Sequence, residues 1–301
     1  MNSDIHQPTV LCFGEMLWDI LPEGRFPGGA PLNVAHQLQR MNIQARLISA
    51  VGRDLLGRDL FGWAEKSGLD VSGVGCAEEL PTGVVRALVS SDGDASYEIG
   101  MPAAWDRIQL SESVRSAAVR ADALVFGSLA QRSPSNWTTL DRLLAMLPSA
   151  AERVLDVNLR PPHDDLSVVR RLARRATLLK ANTAEVARLC EEASTIGREE
   201  THARRLAREY QLNTICITAG ARGAGLLDYG HWYWEPAAPV LVRDTIGAGD
   251  AFLAGLVSAR LQGSVPAVTL RQACRIAEAA VSHAGGTFQD GLAPAALEVQ
   301  Q

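Results

Sequence analysis

Short, continuously apolar runs alternate with segments of helical periodicity along almost the whole chain. The runs are VLCF at 10 to 13, ARLISAV at 45 to 51, ALVF at 123 to 126, RVLDVN at 153 to 158, TLLKAN at 177 to 182 and NTICIT at 213 to 218. Their β-rich content predicts strands, and the lack of polar alternation predicts a sheet covered on both faces. Helices are predicted over 31 to 41, where Val34, Leu38 and Met41 fall at i, i+4 and i+7, and over 248 to 261, where Phe252 and Leu256 recur similarly. Strands separated by helices in this way make a mainly parallel sheet, so the chain reads as α/β.

One stretch breaks the alternation. Thr82 to Ile99 reads as two strands joined by a turn at Ser91 to Asp94, with no helix between them. With the apolar piece Met16 to Leu21 it can form a small second sheet over the main one, or it can be an edge hairpin of the main sheet. No internal repeat, low-complexity segment or linker divides the chain, and one large α/β domain with an excursion is predicted over 1 to 301.

Composition narrows the function. At 301 residues, with 47% hydrophobic and 21% charged, the chain can bury a large core, which excludes disordered, collagen-like and disulfide-stapled classes. A net charge of -5 without any run of Lys or Arg argues against nucleic acid as a partner. No stretch approaches the ~18 apolar residues that cross a bilayer, and the first ten residues carry an acid and no apolar core, so no membrane partner and a cytoplasmic protein are expected. Cys12, Cys76, Cys190, Cys216 and Cys274 contain no C-x-x-C pair and are expected to be reduced core residues. Lysine occurs only at Lys66 and Lys180, a scarcity ascribed to base composition and given no function.

The most informative segment is Asp244-Thr-Ile-Gly247-Ala-Gly249-Asp250-Ala-Phe, which follows the strand-like VLVR at 240 to 243 and opens an apolar helix. Glycines at a strand-to-helix turn let successive backbone N–H groups face one concavity, and the helix N-terminus adds partial positive charge, so an anion such as phosphate suits it. Asp250 beside that cradle could accept a hydroxyl proton while the N–H groups receive charge on a transferring phosphoryl group; a plain helix-start carboxylate is the simpler alternative. The chain has no G-x-x-x-x-G-K-[ST], and its Gly-x-Gly lies too near the C-terminus for a dinucleotide fingerprint. A second glycine turn, Gly28-Gly29-Ala-Pro31-Leu-Asn33, also opens a helix. Gly28 and Gly29 permit close approach of a ligand, and Asn33 and Asp19 together can pair with the hydroxyls of a polyol.

These motifs resemble the ribokinase/PfkB family of carbohydrate kinases. The likeness is carried by Gly28 to His36 with Val51 to Gly57, by Asp244 to Phe252, and by Asp156-Val-Asn158-Leu-Arg160, the N-x-x-E of Asn182 and Glu185, and Thr218-Ala-Gly220-Ala-Arg-Gly223. It implies a ribokinase-like three-layer α/β/α fold with a mainly parallel central sheet and a small β-sheet lid formed by excursions near 15 to 27 and 82 to 102. It further implies transfer of the ATP γ-phosphate to a sugar hydroxymethyl group, with Asp250 as base and the N–H groups of Gly247, Ala248 and Gly249 as the anion hole. Asp19, Gly28, Gly29 and Asn33 would hold sugar hydroxyls. Asn182 and Glu185 would organise Mg²⁺ and phosphates, Glu185 through water, or else simply start a helix. Thr218, Gly220 and Gly223 would flank the nucleotide, with adenine toward the 270s helix. Many relatives bind a monovalent cation, K⁺ here, through positions matching Asp244, Ile246 and the 284 to 287 loop. A homodimer through the lid is the oligomer it favours.

Within the family, Gly14 to Asp19, Pro102 to Asp106 and Asp156 to Pro161 resemble fructokinases, which implies D-fructose as the substrate. The nearest rival is 2-keto-3-deoxygluconate, whose carboxylate Arg160 could clamp, with Tyr97 and Arg86 available as further donors. A non-catalytic sugar-binding member is the alternative from another class.

Overall fold

A computed structural model of the chain describes residues 7–21, 24–89, 95–243 and 245–282, with the side chains at 87–89 and 95–97 outside that description. In chain order the strands are β1 (Thr9–Phe13), β2 (Leu17–Leu21), β3 (Gly24–Gly28), β4 (Gln44–Gly52), β5 (Asp70–Ala77), β6 (Gly83–Val89), β7 (Ala95–Ile99), β8 (Ala123–Gly127), β9 (Glu152–Asp156), β10 (Leu178–Asn182), β11 (Thr214–Thr218), β12 (Ala224–Asp228) and β13 (His231–Glu235). The α-helices are α1 (Ala30–Arg40), α2 (Leu55–Lys66), α3 (Glu112–Ala118), α4 (Pro134–Met146), α5 (Leu166–Ala173), α6 (Thr183–Leu189), α7 (Glu199–Tyr210), α8 (Ala248–Leu261) and α9 (Pro266–Val281).

Nine strands form the main sheet in the order β13-β12-β11-β10-β9-β8-β1-β4-β5. From β5 to β11 every pairing is parallel, and β12 and β13 extend the sheet as an antiparallel hairpin. Strand residues alternate between two cores, which is the period-2 rule acting on a sheet buried on both faces. Leu11, Phe13, Leu124, Phe126, Leu155 and Leu179 face α3 to α7, whereas Val10, Cys12, Leu47, Val125, Val154 and Leu178 face α1, α2, α8 and α9. The outcome is the three-layer α/β/α sandwich.

The hairpin is part of a separate four-stranded sheet, order β3-β2-β6-β7, and is not an edge of the main one. Its turn at Ser91 to Asp94 lies outside the described residues. The root of this sheet is tied to α2: Asp54 caps the helix through the Gly57 N–H at 2.7 Å and also accepts from Thr82, N at 2.8 Å and Oγ1 at 2.6 Å. Thr82 Oγ1 in turn accepts from the Gly52 N–H at 2.9 Å. A Cβ at Gly57 would lie 2.2 Å from the Gly52 carbonyl oxygen, so this knot of chain requires glycine there.

Two expectations fail. VLVR at 240 to 243 is irregular among the described residues, with Leu241 79% exposed, and its Arg243 N–H goes to the Val281 carbonyl at the end of α9. Strand propensity is realised only against a partner strand, and none lies there among the described residues. Cys76 is exposed while the other four cysteines are buried, because it sits on β5, the sheet's edge strand; all five are free. Among the described residues no helix is long and apolar enough to cross a membrane.

Candidate active site

A cleft of about 440 Å³ opens at the C-terminal ends of the parallel strands, where ligands collect in open α/β sheets. Four of these strands deliver polar groups at or just past their ends: Glu15 after β1, Asn158 and Arg160 after β9, Asn182 at the end of β10 and Thr218 at the end of β11. The small sheet lies across the opening, with Leu17, Asp19 and Leu21 of β2, Val85 of β6 and Ile99 of β7 facing in. The alternation of β6 therefore sends Arg86 to the opposite face, which removes it as a donor to the cleft.

Asp250 occupies the floor. Gly247, at φ 75°, turns the chain into α8 and places Asp250 in its first turn, where its carboxyl is buried and accepts from Asn33 Nδ2 at 2.8 Å. Burial first, and then the Asp156 carboxylate nearby, push its pKa up to about 6, against the pull of Asn33, Lys180 and Arg160. Asn33 reaches it from α1, which begins after Gly29 at φ 110°, with Pro31 in its first turn. A Cβ at Gly29 would lie 2.4 Å from the Glu15 carbonyl oxygen, and one at Gly28 would lie 2.1 Å from Asp19 Oδ2. Both glycines thus make room for acids that line the cleft. The N-terminal glycine turn and the C-terminal one, more than two hundred residues apart in sequence, meet through one hydrogen bond.

At the helix start the Ala248 N–H makes a long bond to the Thr245 carbonyl, 3.3 Å, while Gly249 and Ile246 line the cleft. Asp244 and the 284 to 287 loop lie outside the described residues, as does the side chain of Tyr97. Gly220 and Gly223 do not line the cleft. They shape the β11–β12 turn, and a Cβ at Gly223 would strike the Glu235 carbonyl oxygen at 2.1 Å. Thr218 alone of that motif reaches it.

Asn182 and Glu185 form a reciprocal cap on α6, the Glu185 N–H donating to Asn182 Oδ1 at 2.9 Å and the Asn182 N–H to Glu185 Oε2 at 2.8 Å. Glu185 Oε1 accepts from the Leu159 N–H at 2.8 Å, so the acid also ties in the loop that carries Asn158 and Arg160. A carboxylate held by two N–H groups keeps lone pairs for water, and among the described residues no trio of acids, His or Cys could hold a metal directly. That donor set fits Mg²⁺, which retains waters and leans on substrate phosphates.

Sequence reasoning passed over two residues. Lys180 was set aside with the scarcity of lysine, yet its ammonium is buried at the cleft, 2.9 Å from Asp156 Oδ1, and a Cβ on Gly249 would come within 3.2 Å of it. Burial opposes its charge, but Asp156, Glu185 and Asp250 outweigh that and raise its pKa. The available signal was a lysine inside an apolar strand two residues before Asn182. Glu15 is 4% exposed, accepts from the Ala30 N–H at 3.2 Å and is pushed by burial up to about 7. Asp19 is similarly raised by burial, to about 6, with Arg160 pulling it down. Arg160 itself, on the cleft wall, makes no hydrogen bond or ion pair that would hold its guanidinium among the described residues.

Comparison with known proteins agrees with this geometry. The family described as pfkB family carbohydrate kinase matches residues 23–290. A fructokinase of Salmonella typhimurium is 28% identical over 282 residues, 88% of this chain and 91% of that protein. Aminoimidazole riboside kinase of the same species is 27% identical over 259 residues, covering 82% of this chain and 79% of that one. Among solved structures, a fructokinase with bound ATP from Xylella fastidiosa superimposes with a TM-score of 0.79 at 21% identity, over 93% of this chain and 94% of that chain.

Proposed function

Because the chain belongs to the pfkB family of carbohydrate kinases, and is thus a sugar kinase, we propose that it transfers the γ-phosphate of ATP to the primary hydroxyl of D-fructose, giving fructose 6-phosphate. The observation that carries the reading is the buried Asp250 carboxyl, set in the first turn of α8 and hydrogen-bonded across the cleft to Asn33.

Asp250 would take the proton of the sugar hydroxyl as that oxygen bonds to the γ-phosphorus, and the bond from γ-phosphorus to the bridging oxygen breaks to release ADP. Asn33 orients the carboxyl and keeps one of its oxygens occupied. The N–H groups of Gly247, Ala248 and Gly249 would receive charge on the transferred group, Ala248 by giving up its long bond to Thr245. Lys180 would add fixed positive charge below them. Asp19, with Gly28 and Gly29 allowing close approach, would accept from sugar hydroxyls, and Thr218 would flank the nucleotide. Asn182 and Glu185 would hold Mg²⁺ through water, where the ion neutralises phosphate charge. The small sheet, closing inward on Leu17, Val85 and Ile99, would exclude the water that would otherwise hydrolyse ATP.

Fructose is favoured by relatives named fructokinase, at 26% and 28% identity. A second reading has its own support: the Arg160 guanidinium on the cleft wall, which no hydrogen bond or ion pair holds among the described residues, suits the carboxylate of 2-keto-3-deoxygluconate. The test is ADP release with Mg·ATP against fructose, 2-keto-3-deoxygluconate, ribose, glucose and adenosine, with ATP alone as blank. Highest turnover on fructose upholds the first reading and on the keto acid the second. Folded protein silent on every sugar would sink both and leave a non-catalytic sugar binder.

A further inference from the structure

Both ends of the β6–β7 hairpin leave the body of the protein beside one buried side chain, Arg132, which the chemistry above does not use. Its guanidinium is bidentate on Asp106, Nε to Oδ1 at 2.8 Å and Nη2 to Oδ2 at 2.9 Å. Nη2 also donates to the carbonyl of Gly100, the residue after β7, at 2.9 Å. The side chains are 4% and 11% exposed, so salt and water screen the pair little. The guanidinium carbon lies 3.7 Å from the Trp105 ring centroid, and Trp105 fills the space at Gly83, the first residue of β6, where a Cβ would come within 2.4 Å of its Nε1. One cation therefore grips the end of β7 directly and the start of β6 through an indole.

A fourth contact leads to the sugar side. Arg132 Nη1 is 3.4 Å from His163 Nε2, and the His163 N–H donates to the Arg160 carbonyl at 2.7 Å. A guanidinium offers only donors, so the His163 Nε2 that faces it is the acceptor, and burial, and then the Arg132 cation, keep the imidazole below its ordinary pKa. An apolar cluster of the same volume would stabilise the fold about as well as a buried ion pair does, whereas a planar fork with several acceptors defines geometry.

We propose that Arg132 is a positioning residue for phosphoryl transfer: it ties the root of the lid hairpin to the loop that carries Arg160, so that closing the lid and presenting Arg160 to the sugar are one event. The proposal rests on the cleft being the sugar site. Lid and loop moving independently would weaken sugar binding and expose ATP to water.

Arg132→Lys keeps the charge and loses the fork. It should raise the sugar KM about tenfold, the scale on which residues between two sites modulate their coupling, with the ATP KM within about twofold of wild type. It should also raise sugar-independent ADP release relative to sugar phosphorylation. His163→Phe cuts only the branch to Arg160 and should raise the sugar KM while leaving amide exchange at 98–100 as in wild type; His163→Asn, which retains an acceptor, should recover most of the loss. Folded Arg132→Lys protein with wild-type sugar KM and wild-type sugar-independent ADP release overturns the proposal. If the wild-type protein phosphorylates no sugar, the proposed function falls, and amide exchange in Arg132→Lys still decides the coupling: faster exchange at both 98–100 and 158–163 upholds it, and a change at one segment or neither refutes it.

Discussion

Asp250 illustrates how a single carboxyl is tuned by what surrounds it. Burial and Asp156 favour its neutral form, and Asn33, Lys180 and Arg160 favour the charged one, leaving it near the pH at which a general base works best. As only the carboxylate can take a proton, turnover should fall as pH drops through about 6 and level off above it. A pH profile of kcat/KM checks this, and a flat acid limb would contradict the assignment. Asp250→Asn should lower kcat by ~10² or more while sugar affinity stays within a few fold, measured by steady-state kinetics and calorimetry. At this scale the site was legible where a motif singled a residue out, as with Asp250, Asn33, Gly28 and Gly29. Lys180 and Glu15 were not, because a lysine in a strand and an acid after one acquire meaning only from Asp156 and Ala30, their partners in the fold.

Some helices begin where a side chain captures the free N–H groups of the helix start. Asp54 on α2 and Asn182 on α6 do so, and both lie in motifs that the sequence displays. Asp54 has a second task, since the same carboxylate holds Thr82 at the root of the small sheet. Asp54→Ala should therefore cost ~1 to 2 kcal/mol of stability in denaturant unfolding, together with faster amide exchange in β6. Unchanged exchange in β6 would confine Asp54 to capping. The β12–β13 hairpin, turning at Tyr229 and Gly230 with φ 44° and 84°, was absent from the strands read from sequence, although a residue-Gly pair between apolar runs marks such turns. VLVR shows the converse, an apolar run without a strand.

Across the whole molecule, the parallel sheet gathers residues from β1, β9, β10 and β11 at one end, and the small sheet closes that end from above. Because inward and outward positions alternate, lid substitutions divide by face. Arg86→Ala should leave the sugar KM as it is, whereas Arg160→Ala should raise it, the more so for a sugar acid; steady-state kinetics on both substrates compare them. An effect of Arg86→Ala equal to that of Arg160→Ala would contradict the face assignment. Local pattern was enough for the class of fold, the alternation of strand and helix, the two glycine turns and the carboxylate that meets both, since each depends on neighbours within a turn or a strand. The hairpin's place in a separate sheet was implied by the resemblance and left open by the strand pattern alone, whereas three-dimensional packing settled that Arg86 faces away from the cleft, that Lys180 and Glu15 line it and that Gly220 and Gly223 do not. Those outcomes depend on which surfaces cover one another and which charges are buried together, and such contacts join residues tens to hundreds of positions apart that no local pattern connects.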